Sequence, residues 1–98
     1  MNINELVIDY IKRNATERSK AITGRKIGNE FGINDATVRK IVNQARTDGI
    51  AICSYRCGYY FSTRDCDITE TLNQLNSRIE KVQSAISGLC GVMQECTA

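Results

Sequence analysis

The sequence predicts a mainly α-helical chain with a small β-hairpin, an α+β fold, and three observations predict it. Two short helical runs are joined by Gly32-Ile33-Asn34, two β-rich runs follow Gly49, and the chain closes on a seam of apolar residues spaced alternately four and three apart. The 98 residues include 13 Lys and Arg, 11 Asp and Glu, and 42% hydrophobic residues. That is the balance of a folded chain and not of a disordered one. Histidine, tryptophan and proline are absent. Without histidine, hydrolase triads built on it are excluded, and the usual physiological pH switch is missing.

Residues 2–14 set Ile3, Leu6, Val7, Tyr10 and Ile11 at i, i+3, i+4, i+7 and i+8, one stripe of a helix. Asn2 followed by Glu5 offers a capping box, and Asn4 is an equally good N-cap. Residues 15–21 have no period and read as a polar loop. Ile22 either starts a short strand or packs beneath the next segment of the chain. Thr23 then caps a second helix, Gly24 to Phe31, with Ile27 and Phe31 facing inward. Gly28 lies beside them and has to be small, because the next helix crosses there at close range. Gly32 suits the left-handed end of that helix, and Asn34 caps the next. The third helix runs from Asp35 to about Thr47 with Val38, Ile41, Val42 and Ala45 inward, and Gly49 stops it.

Residues 50–54 and 59–62 are rich in β-formers, and Tyr55-Arg56-Cys57-Gly58 between them reads as a hairpin turn with glycine near its end. Tyr59, Tyr60 and Phe61 are expected as strand and core residues. Residues 63–66 are a polar connector. Beyond them Ile68, Leu72, Leu75, Ile79, Val82, Ile86, Leu89 and Met93 form an unbroken heptad seam. Leu72, Ile79, Ile86 and Met93 take one core position; Ile68, Leu75, Val82 and Leu89 take the other. A period held at 3.5 favours supercoiling with a partner helix, so these eight residues are expected to join chains into a homodimer or higher oligomer. Asp67 can cap this helix, and Gly88 and Gly91 weaken its end. The flanks Asn76, Arg78, Gln83, Ala85, Cys90 and Val92 offer little charge pairing. The expected division is a domain over residues 1–62 and an oligomerisation helix over 67–94.

Charge divides along the same line. Residues 1–66 hold eleven Lys and Arg against seven Asp and Glu, a net +4, and residues 67–98 hold two against four, a net −2. Something anionic is held at the front and something else happens at the back. Met1–Leu6 carries no basic region ahead of an apolar run, so no signal peptide is expected, and no stretch has the length of a membrane span. The five cysteines are therefore expected as reduced thiols of a cytoplasmic protein. Their spacing, Cys53-x3-Cys57 with Cys66, Cys90 and Cys96 apart, lacks the paired C-x2-C knuckles of a zinc site. Cys90 and Cys96 can crosslink chains on oxidation. No metal or cofactor is expected.

Ile27, Gly28, Phe31, Gly32, Ile33, Val38 and Ile41 are the buried points a helix-turn-helix requires. With a helix ahead and a hairpin directly after, the pattern is a winged helix-turn-helix. The stretch from Ile22 to Ile50, followed by Arg56-Cys-Gly-Tyr-Tyr-Phe61, resembles the N-terminal DNA-binding domain of the biotin operon repressor and the related type-11 helix-turn-helix regulators. The resemblance covers residues 5–62. It ends where those repressors continue into a ligase domain, so nothing about biotin or a small-molecule effector carries over. In such a motif the second helix lies in the major groove. Its outward residues here are Asn34, Asp35, Ala36, Thr37, Arg39, Lys40, Asn43, Gln44 and Thr47. Arg39 or Lys40 suits guanine O6 and N7, and Asn43 or Gln44 suits adenine N6 and N7. Asp35 at the helix start is favourable as a cap; near DNA it is a local cost or an acceptor for cytosine N4. Arg25 and Lys26, at the start of the preceding helix, combine positive charge with open backbone N–H groups that suit a phosphate. Arg56, flanked by Tyr55, reaches backbone or minor groove from the hairpin 53–60. Lys12, Arg13, Arg18 and Lys20 can add non-specific phosphate contacts.

The expected function is sequence-specific double-stranded DNA binding by a small dimeric transcriptional regulator of a bacterial or phage-infected cell. Two alternatives stand beside it: a phage-type DNA-packaging or replication-origin protein forming a larger oligomer, and a winged-helix module that binds proteins. An enzyme is not expected, since no paired carboxylates, Gly-rich phosphate loop or nucleophile–base set appears.

Overall fold

A computed structural model describes the backbone of residues 2–97 and the side chains of residues 2–93. Asn2 is extended, and its side-chain oxygen accepts the Glu5 N–H at 2.9 Å, starting α1 over Ile3–Asn14. The stripe that α1 buries is Val7, Ile8 and Ile11, continued by Ala15 beyond its end. This corrects the expected phase. Ile3 and Leu6 are exposed, and Tyr10 is half-buried with its ring edge-on to Phe31 at 5.4 Å. The stretch 15–21 is also more ordered than its composition suggests, because it contains a 3-10 turn over Arg18–Lys20. A two-residue strand, β1, follows at Ile22–Thr23.

Thr23 accepts the Lys26 N–H on its hydroxyl at 3.1 Å and opens α2, Gly24–Phe31, which closes on the left-handed Gly32 at φ 67°. Asn34 then accepts the Thr37 N–H at 2.8 Å and starts α3, Asp35–Thr47. Its buried face is Val38, Ile41, Val42 and Ala45, as the spacing requires. Gly28 is tight for a different reason from the one expected. A Cβ there would strike the Ile33 carbonyl oxygen of the turn, whose own N–H bonds back to the Gly28 carbonyl at 2.9 Å. It is turn backbone, and not a crossing helix, that leaves no room.

The hairpin consists of β2, Ile52–Tyr55, and β3, Gly58–Phe61. Its two-residue turn is Arg56-Cys57, both left-handed at φ 46° and 36°. Gly58, expected to provide the turn, is instead a strand residue. A Cβ on it would stand 3.1 Å from that of Ala21, so its smallness admits the chain leading into β1. Of the two expectations for Ile22 the structure shows the short strand: β1 pairs antiparallel with β3, and the hairpin becomes a three-stranded sheet of order β1-β3-β2. Ile22 is its buried residue.

One apolar cluster joins these pieces through Val7, Ile8, Ile11, Ile27, Val38, Val42, Ile52 and Tyr60, and Ile68 packs half-buried against it. The chain divides into two units, Met1–Ile68 and Thr69–Ala98. α4 begins at Asp65 and runs to Thr97. The helix starts two residues ahead of the expected cap, because the Arg64 carbonyl already accepts the Ile68 N–H. Asp67 lies inside the first turn and accepts the Ser62 hydroxyl at 2.7 Å, while that same hydroxyl accepts the Arg64 N–H at 3.2 Å. Among the described residues no helix is long and apolar enough to cross a membrane.

Candidate nucleic-acid interface

Three chain segments meet around Gly24. Its N–H points to the Cys57 carbonyl at 3.4 Å, which ties the start of α2 to the tip of the hairpin, as the pairing Thr23↔Gly58 also does. The Asp35 carboxylate lies directly against the Gly24 Cα, and the Tyr59 ring borders the same spot. A side chain at position 24 would collide with that carboxylate. The starts of α2 and α3 and the hairpin tip therefore form one edge, bringing Arg25, Lys26 and Arg56 together with Asn34, Asp35 and Ala36. All six are exposed.

Along α3 the expected outward residues separate into two groups. Ala36, Arg39, Lys40, Asn43 and Thr47 are exposed and lie opposite the buried Val38, Ile41, Val42 and Ala45. Gln44 is exposed too, but its amide donates to Asp48 at 3.1 Å and it lines an open groove with Ile8, Asp9 and Ile41. It belongs to the α1 side of the helix and away from the centre of the outward face. Asn34 and Thr37 are engaged in capping, since Asn34 Oδ1 accepts both the N–H and the hydroxyl of Thr37. Arg39 stands one turn from Asp35, at 3.8 Å, in a solvent-exposed pair. Such a pair holds roughly 0.3–0.5 kcal/mol and yields readily to a stronger anion.

The first turn of α2 offers less backbone to an anion than its sequence suggests. The Gly24 N–H faces Cys57, the Lys26 N–H is capped by Thr23, and the Asp35 carboxylate sits beside them. What Arg25 and Lys26 bring to this edge is side-chain charge. Of the other basic residues, Arg13 is paired with Asp9 at 2.7 Å, and Lys12 lies over the Phe61 ring at 5.4 Å. Lys20 is exposed at the end of the 3-10 turn.

Two devices hold the hairpin, and of their contacts sequence reasoning anticipated only Tyr55 beside Arg56. Arg46 donates from Nε to the Ile52 carbonyl at 2.8 Å and from Nη2 to the Ser54 hydroxyl at 2.6 Å, and so braces α3 against β2. Tyr55 has the Arg18 guanidinium 4.1 Å and the Arg56 guanidinium 5.3 Å from its ring centre, contacts of the cation–π kind. The Arg46 brace and the Arg18 contact depend on how distant segments meet, which periodicity does not reveal. Cys57, Cys66 and Cys90 are exposed thiols, and Cys53 is buried with its thiol toward the Ser62 carbonyl at 3.8 Å. The Cys96 side chain lies outside the described residues.

Chemically, the edge and the outward face of α3 offer five cations (Arg25, Lys26, Arg39, Lys40 and Arg56) and, besides the capping Asn34, the amide of Asn43, on a braced framework. Guanidinium and ammonium groups bind phosphate, and Arg and Asn also read base edges. No protein-family model, no curated protein and no solved structure matches the chain.

Proposed function

We propose that residues 2–68 are a winged helix-turn-helix that binds double-stranded DNA sequence-specifically. α3 enters the major groove, and the hairpin around Arg56 contacts backbone or minor groove. In this reading α4 joins chains, and the whole acts as a small transcriptional regulator. The observation that carries the proposal is the edge around Gly24, where Arg25, Lys26 and Arg56 flank the start of a helix whose outward face bears Arg39, Lys40 and Asn43. Residues held by a helix and its caps are presented at fixed spacing, which base recognition requires. The helix-turn-helix spacing that resembles the biotin repressor's DNA-binding domain supports the same reading.

Fluorescence anisotropy with a mixed duplex pool at two salt concentrations, followed by site selection, tests it. Binding is expected to weaken steeply as salt rises. Arg39→Ala/Lys40→Ala should lose at least tenfold in affinity for the selected site, since a base contact is worth roughly 1–3 kcal/mol. Unchanged affinity in that variant refutes the α3 reading, and no binding even at low salt refutes DNA binding altogether. Light scattering separates a regulator of two or four chains from a packaging ring of eight or more.

A further inference from the structure

One carboxylate stands among the cations of the basic edge. Of the exposed residues at the starts of α2 and α3, at the hairpin tip and along the outward face of α3, Asp35 alone is acidic. Both of its oxygens are turned toward the edge itself. Oδ1 lies against the Gly24 Cα in the first turn of α2, the turn that carries Arg25 and Lys26. Oδ2 stands 3.8 Å from Nη2 of Arg39, one turn along α3. The seat exists because position 24 has no side chain and because residues four apart share a helix face.

Capping does not account for this placement. Asn34 already accepts the Thr37 N–H and hydroxyl, so α3 starts without help from residue 35. A carboxylate in the first turn suits the dipole of α3, but that gain needs neither Gly24 nor Arg39. A base reader, for its part, must offer an unengaged oxygen away from the protein. The Asp35 carboxylate instead takes the ground of a phosphate: an anion against the start of one helix and within ion-pair range of an arginine on the next.

We infer that Asp35 is an internal competitor for the anion that this edge binds, and holds its affinity down. The inference rests on the DNA-binding reading above, which makes that anion a backbone phosphate. A duplex carries about one negative charge per 1.7 Å of its axis. Seating it on this edge brings phosphates up to Asp35 and takes Arg39 from its pair. Both effects fall on every duplex alike, whatever its sequence. Asp35 therefore lowers affinity without choosing a base, and the choice is left to the groove-facing side chains of α3.

Fluorescence anisotropy on the full chain tests this with Asp35→Asn, which keeps the side chain's size, and Asp35→Ala, which removes its polar atoms. The probes are a random duplex, the selected duplex and inorganic polyphosphate. At about 0.1 M salt, charges more than about 10 Å apart are screened. Both variants should then bind all three probes roughly three- to tenfold more tightly than the parent, and the gain should shrink as salt rises. Asp9→Asn changes net charge equally, but Asp9 pairs with Arg13 and lines the groove on the α1 side of α3. It should move affinity by less than about twofold. An equal gain from Asp9→Asn overturns the proposal, because net charge and not place would be responsible. A gain in Asp35→Asn that Asp35→Ala lacks overturns it too, by assigning the effect to a new amide contact. Weaker binding of the selected duplex by Asp35→Asn makes Asp35 a base reader and refutes competition. If polyphosphate shows the gain and no duplex binds any chain, the DNA reading fails and the competitor stands. Duplex binding by the parent that both variants merely match does the reverse.

Discussion

Asp67 shows how one side chain adds to the acid sensitivity of the first unit. The Ser62 hydroxyl holds its carboxyl below the ordinary carboxylate range; Tyr60, Arg64 and Arg18 lower it further, and partial burial opposes them. A carboxyl whose pKa is lowered on folding stabilises the fold fully above its unfolded value, near 4, and the contribution is lost as pH falls through the lower folded value. Asp67→Asn should therefore cost stability at pH 7 and flatten the loss of stability between pH 5 and 2, as read from urea midpoints across that range. A variant with the parent's full acid sensitivity would assign the effect to other carboxylates. At the same scale the hairpin turn shows where composition misleads. Arg56 and Cys57 take left-handed conformations that cost roughly 1–2 kcal/mol each for residues with a Cβ, while the glycine beside them is used for close approach. Composition assigns positive φ to the nearest glycine; the contact between Gly58 and Ala21 that claims it is long-range and has no local signature.

Among the elements, those with both a cap and a stop were legible. α2 and α3 are bounded by Thr23, Gly32 and Asn34, and their inward faces follow from spacing. α1 was legible as a helix but not in phase: Leu6 and Ile8 flank Val7 symmetrically, and which of them is buried depends on where α3 and β3 lie. β1 is two residues long, too short to show an alternation, and exists because β3 offers it an edge. In α4 the two glycines stand where nothing compensates for them, since a Cβ on Gly88 or Gly91 would meet no atom within 4 Å. Both lie off the eight-residue seam. Gly88→Ala/Gly91→Ala should stabilise the helix by about 1 kcal/mol per site, raising helicity at 222 nm and the thermal midpoint. No gain would mean that the turns around Gly88 and Gly91 lie outside the cooperative unit.

For the molecule as a whole, the sequence divides by charge near residue 66 and the structure divides after Ile68. The candidate site was legible as a set of residue types and less so as a place. Arg39, Lys40 and Asn43 follow from the helix face, whereas the meeting of Arg25 and Lys26 with Arg56 depends on β1 joining the sheet. The brace from Arg46 was invisible for the same reason. The link between Gly24 and Cys57 carries a consequence for motion. At 3.4 Å, beside a two-residue strand, it is a weak bond at the edge of the sheet, and the least stable parts of a fold open first. When it opens, the hairpin tip and the first turn of α2 lose their shared anchor together. Amide exchange at Gly24 should therefore run faster than at Tyr60 in the middle of the ladder, and the start of α2 and the hairpin tip should loosen as a single piece.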